Sequence, residues 1–276
     1  MEGNHHHHHH HHAMDGTSFV MAEWILATPF IILLAAYLTA VIISNRTHKK
    51  WPVYRVVLWI AGTILAILSV LGPLAQLAHG DFVWHMAGHL FLGMLAPLFM
   101  VLAAPMTLFL RTLPTHAARK VTTILKSKFA VFYTDPIVAS ILNIGGLWIL
   151  YTTELYTLMH EYVILHILIH FHVFLAGYLF TLSMIYIDPM PHIRSYLYRA
   201  VVLVLALAGH GILSKYIYAN PPEGVLRAQA EAGGMLMYYG GDAVDVIIIF
   251  ILCLHWYRAT KPKFQQMRRQ AAAESM

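Results

Sequence analysis

The sequence predicts an all-α, polytopic membrane protein: one bundle of seven transmembrane helices, with the N-terminus outside and the C-terminus in the cytoplasm. Three observations lead there. Hydrophobic residues fill 59% of the 276 positions and charged residues 11%, with a mean hydropathy of +0.62, whereas about a quarter of an average soluble domain is charged. Seven apolar runs reach about the 20 residues that a helix needs to cross a hydrocarbon core of about 30 Å. Lys and Arg crowd into alternate connections, as cytoplasmic loops require.

The chain opens "MEGNHHHHHHHHAMDG", which has the form of an expression tag with a cloning scar, so residues 1–16 are set apart from the fold. The apolar runs follow at 23–44, 54–78, 83–110, 136–153, 160–187, 196–218 and 232–257, within one domain of residues 17–260. The connections are too short to hide a soluble domain. Arg46, Lys49, Lys50 and Arg55 follow the first run, and Arg111, Arg119, Lys120, Lys126 and Lys128 the third. Arg194 and Arg199 follow the fifth, and the C-terminal basic residues the seventh. Of the 18 Lys and Arg, only Lys215 and Arg227 are left for the outer side. The tail 261–276 reads as a basic, disordered cytoplasmic segment. The positive balance is therefore a topology signal; it calls for a lipid bilayer and for no nucleic acid.

A single cysteine, Cys253, leaves neither a disulfide framework nor a CxxC metal clasp. No Gly-rich phosphate loop, nucleophile elbow or HExxH is present, so nothing points to an NTPase or a hydrolase.

An α-helix advances 1.5 Å per residue, so each polar residue can be given a depth. "HMAGH" places His85 and His89 in the first two turns of the third run. "HILIHFH" places His166, His170 and His172 in the outer half of the fifth, His210 and Lys215 lie in the outer half of the sixth, and Met235, Met237, Asp242 and Asp245 in that of the seventh. Four helices thus bring polar or soft donors to one depth, where buried polar groups are costly and mark function. His85 with His89, and His166 with His170, are i,i+4 pairs on one helix face. Neutral imidazole suits copper, zinc and iron, and thioether sulfur from Met86, Met235 or Met237 would favour Cu(I).

His172 lies about 200° around the helix from His170, so one of the two serves as an outer partner or faces another cavity. His48, His79, His116, His160, His192 and His255, near helix ends or in loops, read as structural hydrogen-bonding groups. A methionine in so apolar a chain is core filler by default. Asp242 and Asp245 follow "YYGG" and could ligate metal, orient an imidazole or pair with Lys215, or form an internal ion pair without further role. Asp135-Pro136 and Asp188-Pro189 read as caps and breaks at inner helix boundaries.

"WHMAGHLFLGMLAPLFMVLAAPMTLFLRTLP", Trp84 to Pro114, resembles the signature of the CtaG family of caa-type cytochrome c oxidase assembly factors. "HILIHFHVFLAGYLF" followed by "IYIDPMP" is similar to the family's second histidine block, "GHGILSKYIYA" to its sixth-helix block, and "AGGMLMYYGGD" to its last. The resemblance implies a non-enzymatic role in the bacterial plasma membrane: binding copper as Cu(I) and helping to insert it into the CuB centre of nascent cytochrome c oxidase subunit I. It carries the metal ligands onto His85, Met86, His89, His166, His170, His172, His210 and Asp242. An extracytoplasmic copper donor and a homo-oligomer are compatible with that role. One departure stands out: members often carry Asp-Gln before the Gly-Gly of the last block, where this chain reads "RAQAEAGG" with Gln229 and Glu231. Two other readings compete: a histidine-cluster metalloenzyme or haem protein, since such clusters also build di-iron and haem sites, and a copper permease.

Overall fold

Hydrophobic length decides which segments cross the membrane. In the computed structural model, which describes residues 16–190 and 192–261, the helices are α1 (Gly16–Thr47), α2 (Val53–Val70), α3 (Pro73–Gly80), α4 (Phe82–Leu90), α5 (Ala96–Leu102), α6 (Pro105–Thr112), α7 (Thr115–Leu125), α8 (Lys128–Tyr133), α9 (Pro136–Ser140), α10 (Gly146–Thr152), α11 (Leu155–Glu161), α12 (Val163–Met184), α13 (Tyr196–Ala219) and α14 (Arg227–Thr260). A π-helical turn, Phe91–Leu95, joins α4 to α5, and another, Ile141–Gly145, joins α9 to α10. Among the described residues there is no strand. Apart from Gly16 and Lys261, the tag-like segment 1–16 and the basic tail 261–276 lie outside them.

Among the described residues six helices are long and apolar enough to cross a membrane, with α4 through α5 counted as one; the bent pair of 136–152 and α11 brings the number to seven if it counts as a single span. The chain is thus an all-α membrane protein. Its outer surface is apolar, with Val204, Leu205 and Phe250 all about two-thirds exposed, as lipid contact allows. The interior is layered. Phe82, Met86, Leu147, Tyr151 and Leu213 form one cluster, and Leu98, Met184, Ile248 and Leu252 another toward the opposite end. For brevity, the end where α2, α10 and α13 finish is the histidine end. The end bearing Arg46, Lys49, Arg111 and Arg194 is the basic end.

The predicted runs break at places with local causes. The run 54–78 divides at Gly72, whose φ of 92° is open only to glycine at low cost; Pro73 then starts α3 at the first helical position, where a missing N–H loses nothing. The run 83–110 divides twice. Pro97 has no N–H to give the Gly93 carbonyl one turn back, and the π-helical turn absorbs that defect. Gly93 O then lies so close to α12 that a Cβ on Gly177 would overlap it. Beyond Leu102 the backbone turns through Ala104 at φ 52°, and Pro105 opens α6.

The fourth predicted run, 136–153, ends on schedule, but the fifth starts later than 160. Thr153 adopts an extended conformation and its Oγ1 accepts from the Leu155 amide. The chain then folds back by 80° as α11, the first turns of which were expected to be loop.

At the basic end the two Asp-Pro motifs are caps, with one surprise. Asp135 caps its own helix by accepting from Ile137 N, and also pairs with Arg194 at 2.7 Å. Asp188 caps a helix 80 residues earlier in sequence: its carboxylate accepts from Met106 N and from Thr107 N and Oγ1, holding the positive N-terminus of α6. Arg199, fully buried, donates to Met184 O and is sandwiched between the rings of Tyr186 and Tyr196.

Candidate functional site

Two helix starts and two short helices build the histidine end. Asp81 caps α4 by accepting from Val83 N, which orients the two turns carrying His85 and His89. The start of α12 carries His166 and His170 one turn apart. Between these, α3 and the folded-back α11 bring in His79 and His160. The five imidazoles of His79, His85, His160, His166 and His170 line one cavity of about 20 Å³, room for a single water or one ion. Ring centroids lie 4.1 Å apart for His166 and His170, 5.3 Å for His79 and His166, 5.5 Å for His79 and His160, and 6.2 Å for His85 and His160. Phe19 of α1 closes the cluster edge-on to His79, ring centroids 4.0 Å apart.

The hydrogen bonds decide which nitrogens are free. His170 Nδ1–H donates to His166 O at 2.9 Å and His160 Nδ1–H to Tyr156 O at 2.8 Å. A backbone carbonyl only accepts, so each Nδ1 carries the hydrogen and each Nε2 keeps its lone pair in the neutral ring, as in metal-ligating histidines. His85 Nε2 meets Tyr151 Oη at 3.0 Å. The buried Nδ1 of His166 has no partner. Burial, and to a lesser degree its neighbours His160 and His170, push the His79 imidazole, which lies outside the spans, down to about 4; it is neutral at pH 7 and able to donate its lone pair.

A second cavity, of about 30 Å³, continues inward from His85 and His170 to His89. A third, of about 10 Å³, joins His89 to His210, Asp245, Asn143 and Met94. Both ring nitrogens of His89 and the Nε2 of His210 are buried without partners. Below Asp245 the interior is the apolar cluster of Leu98, Met184 and Ile248.

The other expected ligands sit elsewhere. His172 turns away from His170 and donates through Nε2 to Leu142 O in the π-helical turn, its ring against Gly146, where a Cβ would collide with Nε2. Met86 is buried against Gly233, in the cluster with Phe82 and Met237, and Met235 is half exposed on the outer face of α14. The methionine that lines the first two histidine cavities is Met159, and the one that lines the third is Met94. Asp242 is exposed, whereas Asp245 is only 3% exposed and lines the third cavity. Lys215 lies over the Tyr238 ring at 5.0 Å, and Glu231 pairs with Arg227 at 3.0 Å. Among the described residues no three His, Cys, Asp or Glu side chains stand ready-made at metal-binding geometry.

Residues 35–259, from within α1 to the last turn of α14, match the family described as cytochrome c oxidase caa3 assembly factor (Caa3_CtaG). The chain belongs to this family. Similar proteins include an uncharacterized protein of Mycobacterium leprae, 26% identical over 83% of this chain and 38% of its own length. Uncharacterized proteins of Mycobacterium bovis and Mycobacterium tuberculosis are each 29% identical over 65% of this chain and 28% of theirs. The chain therefore spans well under half the length of these relatives. No solved structure matches it.

Within this assembly-factor fold, five lining residues lay outside the ligand set read from the linear sequence: His79 and His160, which read as structural, and Met159, Met94 and Asn143. His160 and Met159 were hidden because a depth can be read only along a continuous helix, and α11 folds back. The Gly-Pro pair before α3 was the available signal for His79. Glu23, 4% exposed in α1 with Oε1 unpartnered, is a further buried acid the linear reading passed over.

Proposed function

We propose that this assembly factor carries copper for the oxidase: Cu(I) binds the histidine cluster of α3, α4, α11 and α12 and is passed by ligand exchange to the CuB histidines of nascent subunit I. The observation that carries the reading is the set of five imidazoles around one ion-sized cavity, with lone pairs of His160 and His170 freed by their Nδ1 hydrogen bonds. Imidazole is a good ligand for copper, and the Met159 thioether tilts the preference toward Cu(I). Neutral ligands leave the loaded site cationic, so the ion stays exchangeable.

The orientation proposed places the histidine end on the outer face of the bacterial plasma membrane and the N-terminus outside. Its support is the concentration of Lys and Arg at the opposite end. Copper would then arrive from an extracytoplasmic donor. The protein holds and hands over an ion and converts no substrate.

The test is Cu(I) titration of the purified chain against a competing chelator, with His5–His12 removed because that run would itself bind copper. His85→Ala with His170→Ala should abolish Cu(I) binding at the cluster, and cells carrying the double variant should assemble caa3 oxidase deficient in CuB. A chain that takes up no Cu(I), together with a full CuB complement in the variant cells, would overturn the reading.

A further inference from the structure

The imidazoles do not end at the five-histidine cluster, and the third cavity has a different chemistry from the first. We infer that His89, His210 and Asp245, with Asn143 and Met94 beside them, form a second and deeper copper-binding station, which the ion reaches from the histidine cluster through His89. The inference rests on the copper reading above and adds a site to it.

Four observations support it. First, the unpartnered atoms are concentrated there. Both nitrogens of His89 and the Nε2 of His210 are buried without a hydrogen bond, on residues 8% and 3% exposed. Leaving such groups unpaired carries a desolvation penalty, which a ligand would offset. Second, His89 is the one histidine that lines both the middle and the deep cavity, so it can hold an ion from either side. Third, the two π-helical turns converge on this level. Met94 lies in one and Asn143 in the other, and π-turns occur disproportionately at functional sites. Fourth, room has been made for the rings. A Cβ on Gly241 would stand 2.5 Å from His210 Cε1, and one on Gly93 would stand 3.3 Å from His89 Cε1.

The two stations differ in charge. The upper one offers imidazoles and a thioether, all neutral, so bound Cu(I) keeps its positive charge. The deeper one adds the carboxylate of Asp245, which neutralises a monovalent cation where the low dielectric makes an unbalanced charge most costly. An ion entering at the cluster is therefore drawn inward. His89 takes it from His85 and His170, then shares it with His210 as the upper bonds break; copper stays Cu(I) throughout, and a proton carried by the Asp245 carboxyl leaves as the ion binds. Asp242, exposed on the next face of α14, is not part of the station. Closing the three side chains on one ion takes side-chain rotation about their cavity.

The experiment counts Cu(I) equivalents in the full chain lacking His5–His12, titrated anaerobically against a competing chelator. The wild-type protein should bind a second equivalent beyond that of the cluster. Asp245→Asn and His210→Gln should each weaken that second equivalent at least tenfold while leaving the first in place, and retention of the first shows that the variants are folded. Gly241→Ala, which displaces the His210 ring without removing a donor, should do the same. His166→Ala with His170→Ala should remove the first equivalent. A wild-type chain that binds one equivalent, unaltered by Asp245→Asn and His210→Gln but lost with the cluster substitutions, overturns the deeper station and leaves the copper reading standing. A chain that binds no Cu(I) overturns both.

Discussion

The two ends of the bundle treat buried polar groups in opposite ways. At the basic end they are tied. The Asp188 carboxylate takes three hydrogen bonds from the start of α6, Asp135 holds Ile137 N, Arg194 and Tyr198 Oη, and Trp51 Nε1 donates to Tyr37 Oη, which donates to Ala103 O. Only single atoms such as Ser44 Oγ and Arg199 Nε go without. At the histidine end the groups best able to bind a cation are left free: His89 lacks partners for both nitrogens, His166 for Nδ1 and His210 for Nε2. Polar groups at one end are spent on the fold, and at the other end are kept from it. Stability and ion binding should therefore separate by location.

The largest effect should come where the ends are joined. Gly177→Ala pushes a Cβ against the Gly93 carbonyl, and backbone cannot yield as a side-chain tip can. Overpacking of this kind costs about 1–3 kcal/mol and at times more. The expected outcome is loss of monodisperse protein on size-exclusion chromatography in detergent; a variant as stable as the wild type would show that α12 can move freely from α5. Next, Asp188→Ala should lower stability by about 2 kcal/mol, the sum of a lost cap and unpaired donors, read as a fall in thermal midpoint. Copper bound per folded molecule should stay unchanged, and a fall there would break the separation of the two ends. Smallest is His172→Ala, which removes one hydrogen bond to Leu142 O, worth about 1 kcal/mol. It should leave Cu(I) affinity as it is, since that ring faces the π-helical turn Ile141–Gly145 and the start of α10 and lines none of the three cavities. Loss of copper in this variant would put His172 among the ligands after all.

The spans were legible in the sequence because lipid demands length and apolarity, which composition records directly. The breaks were legible only in part. Gly72-Pro73 and Ala104-Pro105 carry local signals, but the continuation of 83–110 past Leu102 looked uninterrupted by hydropathy alone. The close approach of Gly93 to Gly177, residues 84 apart in sequence, leaves no local pattern to read. The same limit governs the site. His85, His89, His166 and His170 show themselves by their spacing, and the structure gathers His85, His166 and His170 around one cavity. His79 falls just past the end of the second run and His160 at the very start of the fifth, positions that read as structural, and they reach the cavity only because α3 and α11 turn over it. The choice between Asp242 and Asp245 follows from helix rotation: three residues shift a side chain by about 300°, and packing of α14 on α4 and α13 decides which one points inward.

The contact of Gly93 with Gly177 has a consequence for how the protein lives in lipid. Helices tilt when the bilayer thickens or thins, and side-chain interfaces give as they do. Here two helices meet backbone to backbone, a rivet between the segment that follows His89 and the segment that follows His170. The pair must lean as a single beam, so the gap between those two imidazoles is a fixed gauge, the same in a thin membrane as in a thick one.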